Sequence, residues 1–403
     1  MNIAIIVNSF PSLSEKFLLN QFAGLINENI NIDIYASVKS NDTQVHDLYY
    51  KYNFDKYTYQ VNIPRSLKER LNKLPKILLK NMFYSLKNTL RAFNFIKYQR
   101  AAKNLKTLYF LDAFQSKKYD VIHCQFGQNG LIGAFLKDCG FTNRLIVTFH
   151  GSDITVFPKK DGKNVYNYMF SRVDAVTAGT HFTAKHISEH GCPKEKIYII
   201  PAGVLINKYH SINFKLKDAN IILSVGRLEE VKGFEYAINA IEKIVKDFPN
   251  INYFIVGNGS RKELLENLIK EKYLDKNVFL LCEKNDTEIE ELYKSASIFI
   301  APSIRATNGS EEGQGLVIQE AQLYGIPVIA TTTGGIPEGI IDSVTGFLVP
   351  EKNSNAIAEK VRLLLTNKEQ REIMGKNGYK FVSEKYDVNI LSKKILGIYK
   401  CLL

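Results

Sequence analysis

The sequence predicts an α/β protein made of two parallel-sheet domains, and three observations carry that expectation. The chain has 403 residues, more than one hydrophobic core ordinarily serves. Short runs rich in Ile, Val and Phe recur along it, each followed by a longer stretch of helical periodicity, which is the signature of βαβ units. The rhythm stops near the middle of the chain and then starts again. With 45% hydrophobic and 23% charged residues, the composition is that of a soluble globular protein and excludes fibrous and disordered classes.

In the first half the strand-like runs are residues 3–7, 30–36, 121–124, 145–149, 175–178 and 197–200. After Pro201, Ala202 and Gly203 they resume at 221–225, 253–256, 278–281, 298–301, 328–330 and 346–349. The boundary belongs at 201–219, where a Pro/Gly step leads into the polar stretch NKYHSINFKLKDAN, which has little to bury and suits a hinge. Residues 386–403 read as an amphipathic helix after the second sheet has ended.

Residues 64–106 break the rhythm of the first half with one or two long helices. They hold twelve Lys or Arg against a single acid, Glu69. Leu67, Leu71, Leu74, Ile77, Leu78, Phe83, Leu86, Leu90, Phe93 and Phe95 follow at largely helical spacing, giving a basic amphipathic insertion. The formal charge of +12 calls for an anionic partner: nucleic acid, a membrane surface or a phosphorylated ligand. No nucleic-acid-binding motif is present. Five scattered cysteines without a CxxC pair suggest neither a disulfide framework nor a zinc site, as suits a reducing compartment. No run reaches the roughly 20 apolar residues of a membrane span, and the opening MNIAIIVNSF lacks signal-peptide features, so a cytoplasmic chain is expected.

Five places carry residues suited to chemistry. The segment EEGQGLVIQEA (311–321) follows a predicted strand and enters a helix. Gly313 and Gly315 allow close backbone approach, and the helix opening at Leu316 and Val317 offers N–H groups to a diphosphate. Glu312 and Gln314 lie in that loop, with Glu312 facing a sugar, and Glu320 can meet vicinal hydroxyls such as a ribose diol. In GRLEEVKG (226–233), Gly226 ends a strand while Arg227 and Lys232 combine a planar fork with a point charge, suited to neutralising a departing diphosphate. Gly257, Asn258 and Gly259 form a turn after one strand, and Cys282 and Glu283 end the next, where open α/β sheets hold ligands. His150 ends a strand in TFHGSD. Ser12 and Ser14, followed by Glu15, stand where a helix cap is expected. The plain alternatives are solvated acids, ordinary surface cations and simple turns.

The spacing E-x7-E from Glu312 to Glu320, within EGQGLVIQEAQLYGIPVIAT, resembles the donor-binding signature of family 4 retaining GT-B glycosyltransferases. GR-x4-KG resembles that family's phosphate clamp, and FPSLSEKFLLNQ resembles the opening of a branch associated with exopolysaccharide and colanic-acid-type synthesis. HCQFGQNG, TFHGSD and GGIPEGI extend the resemblance over nearly the whole chain. At two places the chain departs from the family: residues 8–17 replace a glycine-rich turn, and Cys282 stands where glycine is frequent.

The resemblance implies a GT-B fold: two Rossmann-like domains facing a central cleft, with the C-terminal helix crossing back to the N-terminal domain. Residues 1–203 would bind acceptor and 204–385 the nucleotide-sugar donor, with 386–403 completing the first domain. The implied reaction moves a hexosyl unit, with retention, from a UDP- or GDP-sugar to a lipid-linked or surface-polysaccharide acceptor. Arg227 and Lys232 would carry the leaving diphosphate without a metal or cofactor. Glu312 and His150 would contact the sugar, Glu320 the ribose, and Ser12, Ser14 and Glu15 the acceptor side. A nucleotide-sugar epimerase or a phosphorylase on the same fold is the alternative chemistry. A basic membrane- or nucleic-acid-binding protein is the alternative class. For a transferase, the basic insertion would serve as a peripheral contact with the anionic inner face of the plasma membrane, with no role for nucleic acid.

Overall fold

The computed structural model describes residues 1–40, 42, 45–115, 117–206 and 220–403. Two parallel sheets organise them. The first contains β1 (Asn2–Ser9), β2 (Asn31–Val38), β3 (Thr58–Gln60), β4 (Val121–Gln125), β5 (Leu145–Phe149), β6 (Ala175–Ala178) and β7 (Ile197–Ile199), in the order β3-β2-β1-β4-β5-β6-β7. The second contains β8 (Ile221–Val225), β9 (Asn252–Val256), β10 (Val278–Leu281), β11 (Ile298–Ala301), β12 (Val328–Thr331) and β13 (Gly346–Val349), in the order β10-β9-β8-β11-β12-β13. Strands β4, β5 and β6 are buried along their whole length, as sheets covered by helices on both faces require.

The chain divides into two compact units, Met1–Pro201 with Leu391–Leu403, and Ala202–Ile390. The helix Val388–Leu402 supplies Leu391, Ile395, Ile398 and Tyr399 to the core that also holds Ile3, Ile5 and Ile146. The Tyr399 hydroxyl meets His123 Nδ1 at 2.7 Å, so the end of the chain is tied to β4 by a buried polar contact as well as by apolar packing. Of the boundary expected at 201–219, residues 201–206 are described and the two units divide between Pro201 and Ala202, while 207–219 lie outside the described residues.

Strand β3 was not expected. It has only three residues, none of them buried, and pairs along the edge with Ile34, Tyr35 and Ala36 of β2. In the basic insertion the helix Leu67–Arg91 begins with Ser66, whose hydroxyl accepts from Glu69 N, and breaks its regular geometry at Ser85 (φ −161°, ψ 99°). The single apolar face expected there is corrected. Leu74, Ile77, Leu78 and Phe93 pack against the core, whereas Leu67, Leu71, Phe83, Leu86, Leu90 and Phe95 are exposed. Among the described residues no helix is long and apolar enough to cross a membrane.

Each sheet reverses its winding once, between β1 and β4 in the first and between β8 and β11 in the second. Loops leaving the carboxyl ends of strands at such a reversal form the crevice where open α/β sheets bind ligands.

Candidate active site

In the second unit, the loops after β8 and β9 interlock. Gly226 N donates to Val256 O and Leu228 N to Asn258 O. Gly257 has φ 147°, and a Cβ there would lie 2.0 Å from Gly226 O; one on Gly259 would lie 2.5 Å from Leu228 O. No side chain fits at either place, so the turn lies directly against the GR-x4-KG loop. Asn258 Oδ1 accepts from Gly259 N at 2.9 Å.

The loop after β8 closes through Gly233. Its φ of 60°, and the 2.2 Å that would separate a Cβ from Pro302 O, demand glycine. That turn carries Lys232 to the loop after β11, where its Nζ lies 2.7 Å from Glu312 Oε1, and the two side chains are only 16% and 15% exposed. Glu312 is held from the other side by Gly334 and Gly335. Gly335 N donates to Glu312 O, and Gly334, at φ 56°, has no room for a Cβ beside the same carbonyl. Gly315, at φ 79°, opens the helix Leu316–Leu323, and it lines one pocket with Lys232, Glu312 and Val317. Arg227 is not among the residues lining that pocket; it is exposed in the loop after β8 and makes no ion pair among the described residues.

The remaining residues of the second unit divide by environment. Glu320 is 7% exposed and accepts from the Tyr293 hydroxyl at 3.2 Å; Tyr293 stacks on Tyr324. Gln314 turns its amide to the backbone of Ala202, donating from Nε2 to the carbonyl (2.9 Å) and accepting from the N–H (2.7 Å). Gly313 and Leu316 are half-buried, and Cys282 and Glu283 are placed beyond β10, where Gly257 N reaches Leu281 O. Thus Gly226, Lys232, Gly257, Asn258, Gly259, Glu312 and Gly315 belong to one set of joined loops.

In the first unit, His150 follows β5. Its ring lies between Phe17 and Phe126, both 4.6 Å away centroid to centroid. Its Nε2 pairs with Gln125 Oε1 at 2.9 Å, and Gln125 Nε2 donates to Gln21 Oε1 at 3.1 Å. That order of donors assigns the proton to Nε2 and leaves Nδ1 as the acceptor nitrogen. Burial, reinforced by the nearby His123, lowers the His150 pKa to about 3, so the ring is neutral. Asp153 fixes the loop by accepting from the N–H groups of Gly127, His150 and Gly151. Burial raises its pKa to about 6 despite those bonds. His123, also lowered to about 3 by burial, joins Tyr399 to Thr148.

Sequence reasoning singled out His150 but not the residues that orient it. Phe17 and Gln21 lie in or beside FPSLSEKFLLNQ, and Gln125 and Phe126 in HCQFGQNG, so the signal was present as motif letters without a role. The expected serine cap is corrected. Ser12 precedes a 3-10 turn, Leu13–Glu15, and its hydroxyl lies 3.3 Å from that of Ser14. Neither that turn nor the helix Lys16–Asn27, which Glu15 precedes, has a side-chain cap. Leu13 N is instead satisfied by Asp42 Oδ2 at 2.8 Å.

Among the described residues no three His, Cys, Asp or Glu side chains gather as a metal site. Comparison with known proteins adds family membership to this geometry. The "Glycosyl transferases group 1" family matches residues 206–381, and "Glycosyltransferase Family 4" matches residues 64–208. WcaL of Escherichia coli (strain K12), a putative colanic acid biosynthesis glycosyltransferase by name, is 29% identical over 373 residues, 90% of each chain. The uncharacterized glycosyltransferase MJ1607 of Methanocaldococcus jannaschii is 30% identical over 303 residues, 70% of this chain and 75% of its own. The crystal structure of Anabaena Alr3699/HepE in complex with UDP and glucose superposes with a TM-score of 0.73 at 17% identity, covering 100% of both chains. With the two family matches meeting where one sheet gives way to the other, the chain belongs to the family 4, group 1 glycosyltransferases and is a transferase of the GT-B fold.

Proposed function

We propose that this enzyme moves a hexosyl unit from a UDP- or GDP-sugar to a lipid-linked or surface-polysaccharide acceptor, with retention of anomeric configuration. The observation that carries the reading is the contact between Lys232 and Glu312, which joins the phosphate-clamp and E-x7-E motifs at the winding reversal of the second sheet. The UDP in the HepE complex supports a nucleotide donor, and the colanic acid role in WcaL's name supports a surface-polysaccharide product.

In this proposal the second unit binds the donor. Lys232 exchanges Glu312 for the diphosphate, joined by exposed Arg227 and the N–H groups at the start of the helix Leu316–Leu323. Charge that develops on the leaving diphosphate is then met by fixed cations, the role a metal ion would otherwise fill, and no cofactor takes part. Glu312, released from Lys232, accepts from a sugar hydroxyl, and Glu320 accepts from the ribose. The turn Gly257–Gly259 with Cys282 and Glu283 borders the base. The first unit binds acceptor near Ser12, Ser14 and Glu15, with neutral His150 as a sugar contact. The leaving phosphate takes the acceptor proton on the face from which it departs, so no side chain is needed as a covalent nucleophile.

Product analysis by NMR tests this reading: an α-linked donor is expected to give an α-linked product and a free nucleoside diphosphate. An inverted product would contradict retention. Altered donor without any acceptor would point to an epimerase, and a requirement for inorganic phosphate to a phosphorylase.

A further inference from the structure

The helix Leu67–Arg91 shows three faces rather than two. Before its break at Ser85, positions 70, 74, 77, 78 and 81 recur at helical spacing and turn inward, with Arg70 and Asn81 buried and the three aliphatic residues packed on the core. A second apolar stripe points away from the core. Leu71, Leu79, Met82 and Phe83 are 51%, 76%, 48% and 90% exposed, and after the break Leu86 and Leu90 are 52% and 66% exposed. Soluble proteins seldom leave so many large apolar side chains of one helix in water. Lys73, Lys76 and Lys80 before the break and Lys87 after it are exposed on the same helix; Lys80 pairs with Asp112 at 2.6 Å, while the other three form no ion pair among the described residues.

We infer that this outward stripe of the helix Leu67–Arg91 is a docking surface for an anionic lipid bilayer, with Leu79, Phe83 and Leu90 entering the headgroup boundary and Lys73, Lys76 and Lys87 meeting lipid phosphates. The charge pattern selects this occupant. From residue 70 to residue 111 the sequence contains no Asp or Glu, so a second copy placed on the stripe would bring lysines together without acids to pair them. A nucleic acid would satisfy the lysines but leave the leucines and Phe83 in water. An interface with acidic headgroups outside and hydrocarbon beneath satisfies both. The inference rests on exposure and charge in the first unit, independently of the donor reaction proposed for the second.

The test is sedimentation of the full-length protein with vesicles of phosphatidylcholine alone and of phosphatidylcholine mixed with phosphatidylglycerol. Binding is expected only to the anionic vesicles and is expected to weaken as salt shortens the screening length from about 10 Å at 0.1 M to about 3 Å at 1 M. Leu79→Ser with Phe83→Ser, and separately Lys73→Glu with Lys76→Glu and Lys87→Glu, should each lower binding more than about tenfold. None of these side chains packs in the core, so thermal midpoint and nucleoside diphosphate binding should be unchanged in both variants. Equal binding to neutral vesicles, no binding to either, or wild-type binding by the variants overturns the inference. So does a solution dimer that Phe83→Ser disperses, which would make the occupant a second copy.

Discussion

Lys232 and Glu312 meet at 2.7 Å across two loops, each held by a positive-φ glycine, Gly233 or Gly334, at which a Cβ would lie 2.2 Å from a backbone oxygen. The pair sets the cation and the carboxylate of the proposed donor site against each other, so a diphosphate must compete with Glu312 for Lys232. Glu312→Gln is therefore expected to tighten nucleoside diphosphate binding by severalfold, in keeping with a partly buried ion pair, while lowering turnover by at least about tenfold. Calorimetry and initial rates measure the two effects separately. Unchanged affinity would mean that the pair does not oppose donor binding.

Gly334→Ala places a methyl group 2.2 Å from Glu312 O at a backbone φ of 56°. The substitution should cost about 1–3 kcal/mol and displace Glu312 as well. A lowered thermal midpoint together with weakened donor-sugar binding is the expected outcome. A midpoint equal to that of the wild type would show that the loop yields without strain.

Tyr399→Phe removes the hydroxyl that meets buried His123 while keeping the ring in the core. A nitrogen left without a partner in that setting should destabilise the protein by about 1–3 kcal/mol. Protease cleavage near the C-terminus should become faster, since this contact ties the last helix to β4. A cleavage rate equal to the wild type would mean that apolar packing alone holds the helix.

The first unit should lose stability as pH falls. His123 and His150 are held at about 3, so unfolding lets each take a proton once the pH drops below about 6.5, the ordinary imidazole value. Each then lowers stability by up to about 1.4 kcal/mol per pH unit. Asp153 acts in the opposite sense: at about 6 it binds a proton in the folded state that the unfolded chain does not take until about 3.9, and so offsets one histidine. Between about pH 4 and 6, urea unfolding should therefore show a shallower pH slope in His150→Gln than in the wild type, by about one proton. Equal slopes would contradict a neutral His150.

Twelve of the thirteen strands were legible because each is a short apolar run between turn residues, the form a buried parallel strand must take. β3 was not, since Thr58, Tyr59 and Gln60 at a half-exposed edge show neither a run nor an alternation. The phosphate-clamp and E-x7-E motifs were visible as letters and spacing, but the contact of Lys232 with Glu312 depends on β8 lying beside β11, which no local pattern encodes. The same holds for the Gln21, Gln125 and His150 series, whose members come from the helix Lys16–Asn27, from β4 and from the loop after β5. Helical spacing in residues 67–90 revealed the helix but not the direction of each apolar residue. Two apolar stripes on one helix look, in sequence, like one broad face.

In the proposed donor site Lys232 and Arg227 hold the diphosphate of a nucleotide donor without a metal. Calorimetric titration of the wild type and Lys232→Ala with UDP and with GDP, in the presence of EDTA, tests it most directly. The account predicts that one nucleotide binds the wild type in EDTA and that binding falls by about 100-fold or more in Lys232→Ala, as expected for loss of a charge-assisted contact. Binding that needs a divalent ion, or that is equal in the two proteins, would contradict it.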